Sequence, residues 1–414
     1  MNKPIDQQNF FAPEVLTDPF EFYREAHAAD MKIQHVPEQN TYIVYDYELV
    51  AEATGRVEEF SNDFGSLMGA DDPEIDAILA EGFPNEATLL TADPPVHTRF
   101  RKLVNLAFSM PRVNAIEDDM RAKAIQLIDN LSGKTECEFV EEFAVPLPVA
   151  MIAQQIGLDN DPKQVKYWSD AAVDRFSQLV DRDRELECAR SFVEYQHYMK
   201  GKIDERRANG GDDLLTDLVE ARIDGEEPLT DPEIISIMQQ FMVAGNETTT
   251  STIAGLMLQL IRNPDQMEKA VAAAGGNDPK LIGNMVEESL RYETPSAGMW
   301  RIVMKDAELG GVKIPKGATL QIRYAAANRD PKKFENPDKF DIERKNVRQH
   351  LAFGKGIHMC VGNMLSRKEI AVAFDELLSR LTNFQLADES AITVLPNILL
   401  RGVTKLPISY EKIA

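Results

Sequence analysis

The chain has 414 residues, of which 43% are apolar and 27% are charged, proportions that are typical of a soluble globular protein. Its formal net charge of −23 argues against nucleic acid as a partner, because binding to phosphates needs a basic surface. No window of about 18 uninterrupted apolar residues occurs and the N-terminal residues lack an apolar signal core, so we expect a cytoplasmic protein without a membrane span.

No linker, low-complexity run or repeat divides the chain. Although a chain of this length often holds two or three domains, we therefore expect one mostly helical domain over residues 1–414. The cysteines are odd in number and widely spaced, which fits neither a disulfide framework nor a zinc motif. They are Cys137, Cys188 and Cys360.

The first elements are predicted to be a helix, two strands and a second helix, at about residues 18–27, 32–36, 41–45 and 48–55. Residues from about 60 to 90 are predicted to be irregular, and long irregular segments in compact domains are often functional. Asp93 is predicted to cap the next helix, whose first turn tolerates the two prolines that follow. His97 and Arg101 share a face of that helix and could hold a carboxylate, with a solvated surface pair as the alternative.

Two helices are predicted over about residues 163–180 and 184–208, and a longer one follows them. It begins with the capping box Thr230–Glu233 and runs to about Arg262. In its middle, Ala244 and Gly245 are small enough for a flat ligand or dioxygen to approach the backbone. Thr248 can bond to the carbonyl of Ala244 and open the helix locally, and Glu247 adds an acid for a proton path.

Helical spacing indicates which residues share the face of Thr248. Ala244 lies four residues earlier and Gln240 eight residues earlier, while Val243 lies to one side of that stripe. The Gln240 amide either hydrogen-bonds a substrate oxygen or is satisfied elsewhere in the protein, and the sequence leaves both possibilities open.

The C-terminal part is predicted to hold strands at about residues 311–315 and 318–322, a helix at 364–380 and a strand-rich end at 384–410. Earlier in it, Glu288 and Arg291 are three residues apart on a helix and can pair.

One loop has an unusual composition: Phe353-Gly354-Lys355-Gly356-Ile357-His358-Met359-Cys360-Val361-Gly362. Its three glycines allow a positive φ or a close approach to a flat object. Cys360 precedes a helix predicted to begin at residues 361–363, where free N–H groups and the helix dipole favour a thiolate. A metal-binding sulfur fits this arrangement, and a buried cysteine in a glycine-rich turn is the alternative.

This loop resembles the haem-binding signature of the cytochromes P-450 and matches it at every fixed position. The other motifs occur in the order of that family and span most of the chain. The resemblance implies a soluble, bacterial-type member with a mainly α fold and small β-sheets (α+β), in which haem lies between the long helix and the Cys loop. It also implies a small β-rich lobe and a large helical lobe.

The family's roles carry over to matching residues. Cys360 would bind the iron of haem b, and four cationic or donor side chains would hold its propionates: His97, Arg101, Arg301 and His358. Four further residues would lie against the haem: Ala244, Gly245, Phe353 and Gly362. Thr248 would orient the oxygen-bound water or hydroperoxide and Glu247 would relay protons. The network of Glu288, Arg291 and Arg344 would be structural.

The resemblance also implies a substrate pocket, whose candidate residues are Leu89, Gln240, Val243, Ala244, Ala297, Met299 and Ile398. Phe176, Leu179 and Val180 are further candidates, for which an ordinary core position is the alternative. The pocket candidates favour a hydrophobic small molecule as substrate.

The implied reaction inserts one oxygen atom from O2, the co-substrate, into a C–H bond or double bond. Electrons would come from NAD(P)H through a separate ferredoxin and its reductase. A basic docking surface could include Lys102, Lys355, Arg367 and Lys368, each of which is otherwise a solvated surface residue. Two other functions remain alternatives, a peroxide-driven haem-thiolate peroxygenase and a non-catalytic haem-binding protein. The Glu247-Thr248 pair argues against the first alternative.

Overall fold

The structure is a computed structural model that describes residues 4–65, 72–158, 162–177, 180–394 and 397–413. Among the residues singled out above, Leu179 and the side chain of Phe176 lie outside this described part. Within it the chain is mainly helical. The helices are α1 Pro13–Thr17, α2 Phe20–Ala28, α3 Tyr47–Gly55, α4 Pro73–Leu79, α5 Val96–Ala107, α6 Met110–Ala115, α7 Glu117–Leu131, α8 Pro146–Gln155, α9 Pro162–Ser177, α10 Arg182–Asn209, α11 Leu214–Glu220, α12 Asp231–Arg262, α13 Pro264–Ala273, α14 Pro279–Glu293, α15 Tyr324–Ala327 and α16 Asn363–Arg380.

The strands are short and form small sheets. They are β1 Ile33–Val36, β2 Thr41–Val44, β3 Phe60–Ser61, β4 Glu136–Glu138, β5 Met299–Val303, β6 Ala307–Leu309, β7 Val312–Ile314, β8 Thr319–Ile322, β9 Leu381–Leu386, β10 Thr393–Val394, β11 Val403–Lys405 and β12 Pro407–Lys412. The chain divides into two compact units, one of residues 1–61, 116–147 and 248–414 and the other of residues 62–115 and 148–247. The division falls inside α12, after Glu247.

The first unit contains a five-stranded sheet with the strand order β1-β2-β8-β5-β3. Strands β2 and β8 are parallel, whereas the other neighbours are antiparallel. Val44, Leu320 and Ile322 are fully buried on it in one core cluster with residues of α3. Another sheet has the order β4-β12-β9, and β6-β7 and β10-β11 form hairpin-like pairs.

A buried ion network fixes the first unit around α14. The Arg291 Nε donates to Glu288 Oε2 at 2.7 Å, and Arg344 Nε lies 3.1 Å from the same oxygen. Arg344 also donates to the carbonyls of Glu335 and Lys339. The predicted structural role of these three residues is confirmed, since each charge has partners that offset its burial.

In the described residues the second unit contains helices and no strand. Helices α9 and α10 pack together there, with Trp168 and Tyr195 in an edge-to-face contact at 5.5 Å. Helix α12 starts as predicted, because Thr230 N–H donates to Glu233 Oε2 at 2.8 Å and the Thr230 hydroxyl accepts from Glu233 N–H at 3.4 Å. Its 32 residues correspond to about 48 Å.

Two local predictions were wrong, and one strand was not predicted. The segment 60–90 contains α4, which is capped by Asp72 and has Pro73 as its first residue. Helix α5 is preceded by Pro95, whereas Asp93 Oδ1 accepts the Asn62 N–H at 3.0 Å instead of capping the helix. Strand β4 was missed because its three residues form a strand only by pairing with β12, far away in sequence.

None of the helices in the described ranges combines the length and the apolar content that crossing a bilayer requires. No disulfide joins the three cysteines, all of which lie in the described residues.

Candidate active site

The Cys360 loop has the tight backbone that its sequence predicts. Gly354 and Gly356 have φ values of +68° and +74°, which disfavour residues with a side chain. A Cβ at Gly356 would lie 3.2 Å from the carbonyl of Thr54, at the end of α3. Gly362, in contrast, has φ −79° and is the N-cap residue of α16. A positive φ therefore explains two of the three glycines.

Cys360 is held by hydrogen bonds of its main chain. Its N–H donates to the Phe353 carbonyl at 2.9 Å, and its carbonyl accepts from the Asn363 amide at 2.7 Å. The thiol is half-buried and lies three residues before α16. Both bonds fix the cysteine at the beginning of the helix, where a thiolate is favoured.

A charged cluster supports this loop and was missed by the sequence analysis. Glu287 Oε2 lies 2.9 Å from His350 Nε2, and its Oε1 accepts from Arg367 Nε at 2.9 Å. The Arg367 guanidinium lies over the Phe353 ring at 4.3 Å and also donates to Asn363. Burial raises the pKa of Glu287, but the His350 and Arg367 hydrogen bonds outweigh this effect and hold it at about 2. In the sequence, the only signal for this cluster was that Glu287 directly precedes Glu288.

Two predicted propionate-binding residues lie in the first unit. Arg301 belongs to β5, is only 2% exposed, and donates to the Trp300 carbonyl at 2.7 Å. Burial raises the pKa of the nearby Tyr324 phenol, while the Arg301 charge and hydrogen bond lower it. His358 is half-buried in the single 3-10 turn Gly356–His358 before Cys360.

The other two predicted propionate-binding residues lie on α5 in the second unit. His97 is 2% exposed, and burial followed by the Arg101 charge lowers its pKa. Arg101 Nε donates to Asn105 Oδ1 at 3.0 Å, one turn further along the helix. The two side chains share a helix face, so the neutral imidazole and the guanidinium suit a common carboxylate.

The middle of α12 is less buried than its surroundings. Ala244 is exposed, whereas Phe241, Met242 and Asn246 are buried. A Cβ at Gly245 would lie 3.0 Å from Ile152 of α8, so close packing of the two helices accounts for this glycine. A contact between Gly245 and haem stays a prediction.

Glu247 is held by a set of polar partners within the second unit. Its Oε1 accepts from the Asn246 amide at 2.9 Å and from the Ser169 hydroxyl at 3.3 Å, and lies 3.7 Å from Lys166 Nζ. Burial raises the pKa of Glu247 and Lys166 opposes this effect. Lys166 also pairs with Asp170. An acid with a raised pKa and fixed donors suits proton transfer.

Thr248 follows directly and is half-buried. Its carbonyl accepts from the Thr252 hydroxyl at 2.7 Å, which is the type of side-chain bond that can bend a helix. The neighbouring Thr249 is buried, with its hydroxyl 3.3 Å from that of Ser366 on α16. The two threonines therefore have different environments.

The Gln240 amide is engaged at both ends, which is the second of its two predicted possibilities. Its Oε1 accepts from Leu90 N–H at 3.2 Å, and its Nε2 donates to the Thr88 hydroxyl at 2.6 Å. Leu89, between these two partners, is half-buried, as is Val243. A direct contact of Gln240 with substrate stays a prediction.

The remaining pocket candidates lie in the first unit. Ala297 is buried in a core cluster with Phe10 and Ile43, and Ile398 packs against the same cluster. Met299 packs against the core of the five-stranded sheet. These positions have a structural explanation, and their contact with substrate stays a prediction.

The predicted basic docking surface is partly neutralised. Arg367 binds Glu287 and Lys368 binds Glu117 at 2.8 Å, while Lys102 binds Glu226 at 3.0 Å in the second unit. Lys355 is exposed, and Arg348, which was not predicted, is 75% exposed. Exposed apolar residues lie in the same stretch: Ile357, Met359 and Met364.

These residues fit a thiolate-ligated haem. The Cys360 sulfur precedes a helix, in a loop with two positive-φ glycines, and a buried guanidinium at Arg301 favours an anionic partner. Ala244 supplies an exposed small apolar surface on α12 for a flat ligand. The side chains therefore include a candidate iron ligand, candidate carboxylate binders and a candidate apolar contact for the ring.

Comparisons with known proteins agree with this interpretation. The family model Cytochrome P450 matches residues 175–404. Cytochrome P450 107B1 of Saccharopolyspora erythraea is 34% identical and the match covers 96% of this chain and 98% of the relative. A steroid C26-monooxygenase of Mycobacterium tuberculosis is 32% identical over 88% of this chain and 93% of the relative. The solved structure of cytochrome P450 CYP109Q5 from Chondromyces apiculatus has a TM-score of 0.87 and 32% identity, with 99% of each chain covered.

Fold, loop and comparisons define a haem-thiolate oxidoreductase of mainly α architecture with small sheets, as predicted. The chain belongs to the cytochrome P450 family. It is a monooxygenase that uses haem b as cofactor and O2 as co-substrate. It acts on a small molecule and receives electrons from a redox partner.

Proposed function

We propose that the protein is a cytoplasmic, ferredoxin-dependent monooxygenase that hydroxylates or epoxidises a hydrophobic, polycyclic small molecule. The observation that carries this proposal is the environment of Glu247, which is half-buried and hydrogen-bonded one residue before Thr248. A peroxide-driven enzyme receives its oxygen already reduced and protonated, so it has no need for such a relay.

Haem b supplies the oxygen chemistry when bound, and an axial thiolate favours cleavage of the O–O bond. In this proposal Cys360 would bind the haem iron, and His97, Arg101, Arg301 and His358 would bind the propionates. Four further residues would contact the haem: Phe353, Gly362, Ala244 and Gly245. Support comes from the buried guanidinium of Arg301 and from the shared helix face of His97 and Arg101.

The proposed proton path ends at the Thr248 hydroxyl. Glu247 holds the proton, and its raised pKa keeps part of it protonated above the usual range of a carboxyl group. Ser169 and Lys166 hold the carboxyl in place from α9. Fixing the donor in this way favours proton transfer over the release of a partly reduced oxygen species.

A ferredoxin would dock beside the Cys360 loop. The support is an exposed surface of two cations, Lys355 and Arg348, among the exposed apolar residues Ile357, Met359 and Met364. Acidic donors suit the cations, and the apolar residues supply contact area. Arg367 and Lys368 bind carboxylates at 2.9 and 2.8 Å, whereas Arg348 lies 3.9 Å from Glu287 and is 75% exposed, so we assign docking to Arg348 and the exposed Lys355.

The substrate class rests on the relatives and on the apolar pocket candidates. The Mycobacterium tuberculosis relative is named for steroid oxidation at C26, and a structure of CYP109E1 from Bacillus megaterium, 28% identical with a TM-score of 0.81, contains testosterone. A rigid polycyclic compound is therefore the proposed substrate, and testosterone is a suitable first probe.

The test compares two routes to product with the purified haem-loaded protein. Testosterone should shift the haem spectrum from low spin to high spin, and NADH consumption with ferredoxin and reductase should then yield oxidised steroid. Peroxide alone should yield much less product. Equal or greater product with peroxide would favour the peroxygenase alternative, and absence of any turnover with a bound substrate would favour the non-catalytic one.

Docking has a separate test. Lys355→Glu and Arg348→Glu should each raise the KM for ferredoxin, most strongly at low salt, and the difference from the unaltered protein should shrink as salt is added, because salt screens the electrostatic contact. Lys305→Glu, at an exposed position on the loop after β5, is the matched control. An equal rise of the KM in all three variants would contradict the docking assignment, because the effect would then come from net charge alone.

A further inference from the structure

The irregular segment Glu81–Leu90, which we call the clasp segment, is held by side chains from two helices. It lies between α4 and α5 and has no regular secondary structure of its own. Backbone N–H groups in such a segment need partners from outside it. Three of them donate to side chains of α10 or α12.

The first half of the clasp segment is held by α10. The Gln196 amide forms two hydrogen bonds with the Phe83 peptide, accepting its N–H at 2.9 Å and donating to its carbonyl at 2.8 Å. His197 Nε2 lies 3.0 Å from the Glu81 carbonyl. A Cβ at Gly82 would collide with the Gln196 amide, so this contact requires glycine.

The second half is held by α12. The Ser236 hydroxyl accepts from Glu86 N–H at 3.0 Å, and Gln240 bonds to both Thr88 and Leu90. Ser236 and Gln240 are four residues apart and therefore share one face of the helix. Ser236 and Thr88 are buried, so each half of this contact has one partner that is shielded from water.

The same face of α12 also carries Ala244, a candidate residue of the active site. Ala244, the exposed small residue, lies one turn after Gln240. Leu89 is the residue between the two partners of Gln240, so its backbone position is fixed from both sides. Leu89 and Ala244 are both pocket candidates.

We propose that Gln240 is a positioning residue that sets substrate fit through Leu89, without touching substrate itself. This inference rests on the proposed function, because Leu89 must form part of the substrate pocket. It assigns specificity to a hydrogen-bonded contact between a helix and a loop, and it gives the polar side chain of Gln240 a role on the face of α12 that it shares with Ser236 and Ala244.

The experiment uses two azole probes and three variants of the haem-loaded protein. Imidazole and 4-phenylimidazole bind haem iron through the same type of ring nitrogen, but only the second carries a phenyl ring that the pocket must accommodate. Gln240→Leu removes both bonds to the clasp segment. Gln240→Glu keeps an acceptor for Leu90 N–H and for the Thr88 hydroxyl. Gln239→Leu is the matched control, about 100° away on the helix.

Hydrogen exchange of the clasp segment is measured in parallel. In Gln240→Leu the amides of residues 86–90 should exchange about tenfold faster, as expected for the loss of a hydrogen bond. The Kd of 4-phenylimidazole should change by about threefold or more, while that of imidazole stays within about twofold. Gln240→Glu should restore both properties, and Gln239→Leu should leave both unchanged.

Unchanged exchange in Gln240→Leu would overturn the inference, because the segment would then be held by other contacts. Faster exchange with an unchanged ratio of the two Kd values would also overturn it, since the segment would lie away from the pocket. Failure of the unaltered protein to bind either azole would contradict the haem site itself and the pocket role with it. Hydrogen exchange would still show whether Gln240 holds the clasp segment.

Discussion

Lys166 Nζ lies 3.7 Å from Glu247 Oε1, and this pair joins α9 to the middle of α12. The same carboxylate oxygen accepts hydrogen bonds from Ser169 and Asn246. The acid before Thr248 therefore has one orientation, fixed by three partners, and burial keeps its pKa raised. This arrangement leads to the first two predictions.

Thr248→Ala should uncouple electron use from product formation. The cysteine loop and the electron-donor surface are unchanged, so NADH consumption should stay comparable, but the proton should be misplaced. Product per NADH should fall by up to about tenfold, with hydrogen peroxide making up much of the difference. The loss should stay below the 10²–10⁴-fold typical of general acid–base catalysis, because bound water can partly replace the Thr248 hydroxyl. The measurement is the stoichiometry of NADH, peroxide and product. Thr249→Ala is the control, and a larger loss there would move the relay to Thr249.

Glu247→Gln should slow oxygen activation itself, because proton delivery is delayed. The rate of NADH consumption with substrate should fall by about tenfold or more, and the solvent deuterium isotope effect on that rate should increase. Asp170→Asn, which changes another carboxylate next to Lys166, should have a much smaller effect. Equal rates in the unaltered protein and Glu247→Gln would exclude Glu247 from the relay.

Cys360→Ala should remove the thiolate signature of the reduced carbon-monoxide spectrum, with weak haem binding or none. Cys137→Ala should keep the signature, since burial raises the pKa of the Cys137 thiol to about 12 and disfavours a thiolate there. A thiolate spectrum in Cys360→Ala would contradict the assignment of the iron ligand.

Arg301→Ala should weaken haem retention more than turnover per bound haem. The guanidinium is buried, and removing it would leave a propionate without its charged partner, at a cost of about 2–5 kcal/mol. The measurement is haem transfer to apomyoglobin together with turnover normalised to haem. Arg348→Ala, at an exposed position, should retain haem normally. Normal retention in alanine variants of His97, Arg101, Arg301 and His358 would contradict the propionate assignment.

Glu369→Gln should change how stability depends on pH. Burial on α16 raises the pKa of Glu369 to about 8, so the folded state binds this proton more tightly than the unfolded state. The stabilising contribution is complete below the ordinary pKa of 4.5 and is lost as pH rises through about 8. Relative to the unaltered protein, the variant should therefore gain unfolding free energy between pH 6 and pH 9, measured by urea titration at about those values. If the unfolding free energies of the two proteins depended on pH in the same way, Glu369 would not be a buried ionisable group. Glu389→Gln, at an exposed position, is the control.

Short-range patterns accounted for much of the fold. The capping box at Thr230 and the Glu288–Arg291 pair involve residues three apart, so they follow from helix geometry alone. The missed elements depended on distant partners. Strand β4 exists only through β12, and the clusters of Glu287 with His350 and of Gln240 with Thr88 join residues 63 and 152 positions apart.

By itself the sequence determined the family, the cysteine loop and the residues that share a face of α12, because glycine conformation, helix periodicity and motif spacing are local properties. Only the tertiary structure decided what those faces contact. It showed that Gln240 hydrogen-bonds to Thr88 and Leu90. It also showed that Gly245 packs against Ile152 and that Arg367 binds Glu287. The physical reason is that periodicity tells which side chains point in one direction, whereas the partner of a buried polar group is set by packing between segments that are distant in the chain.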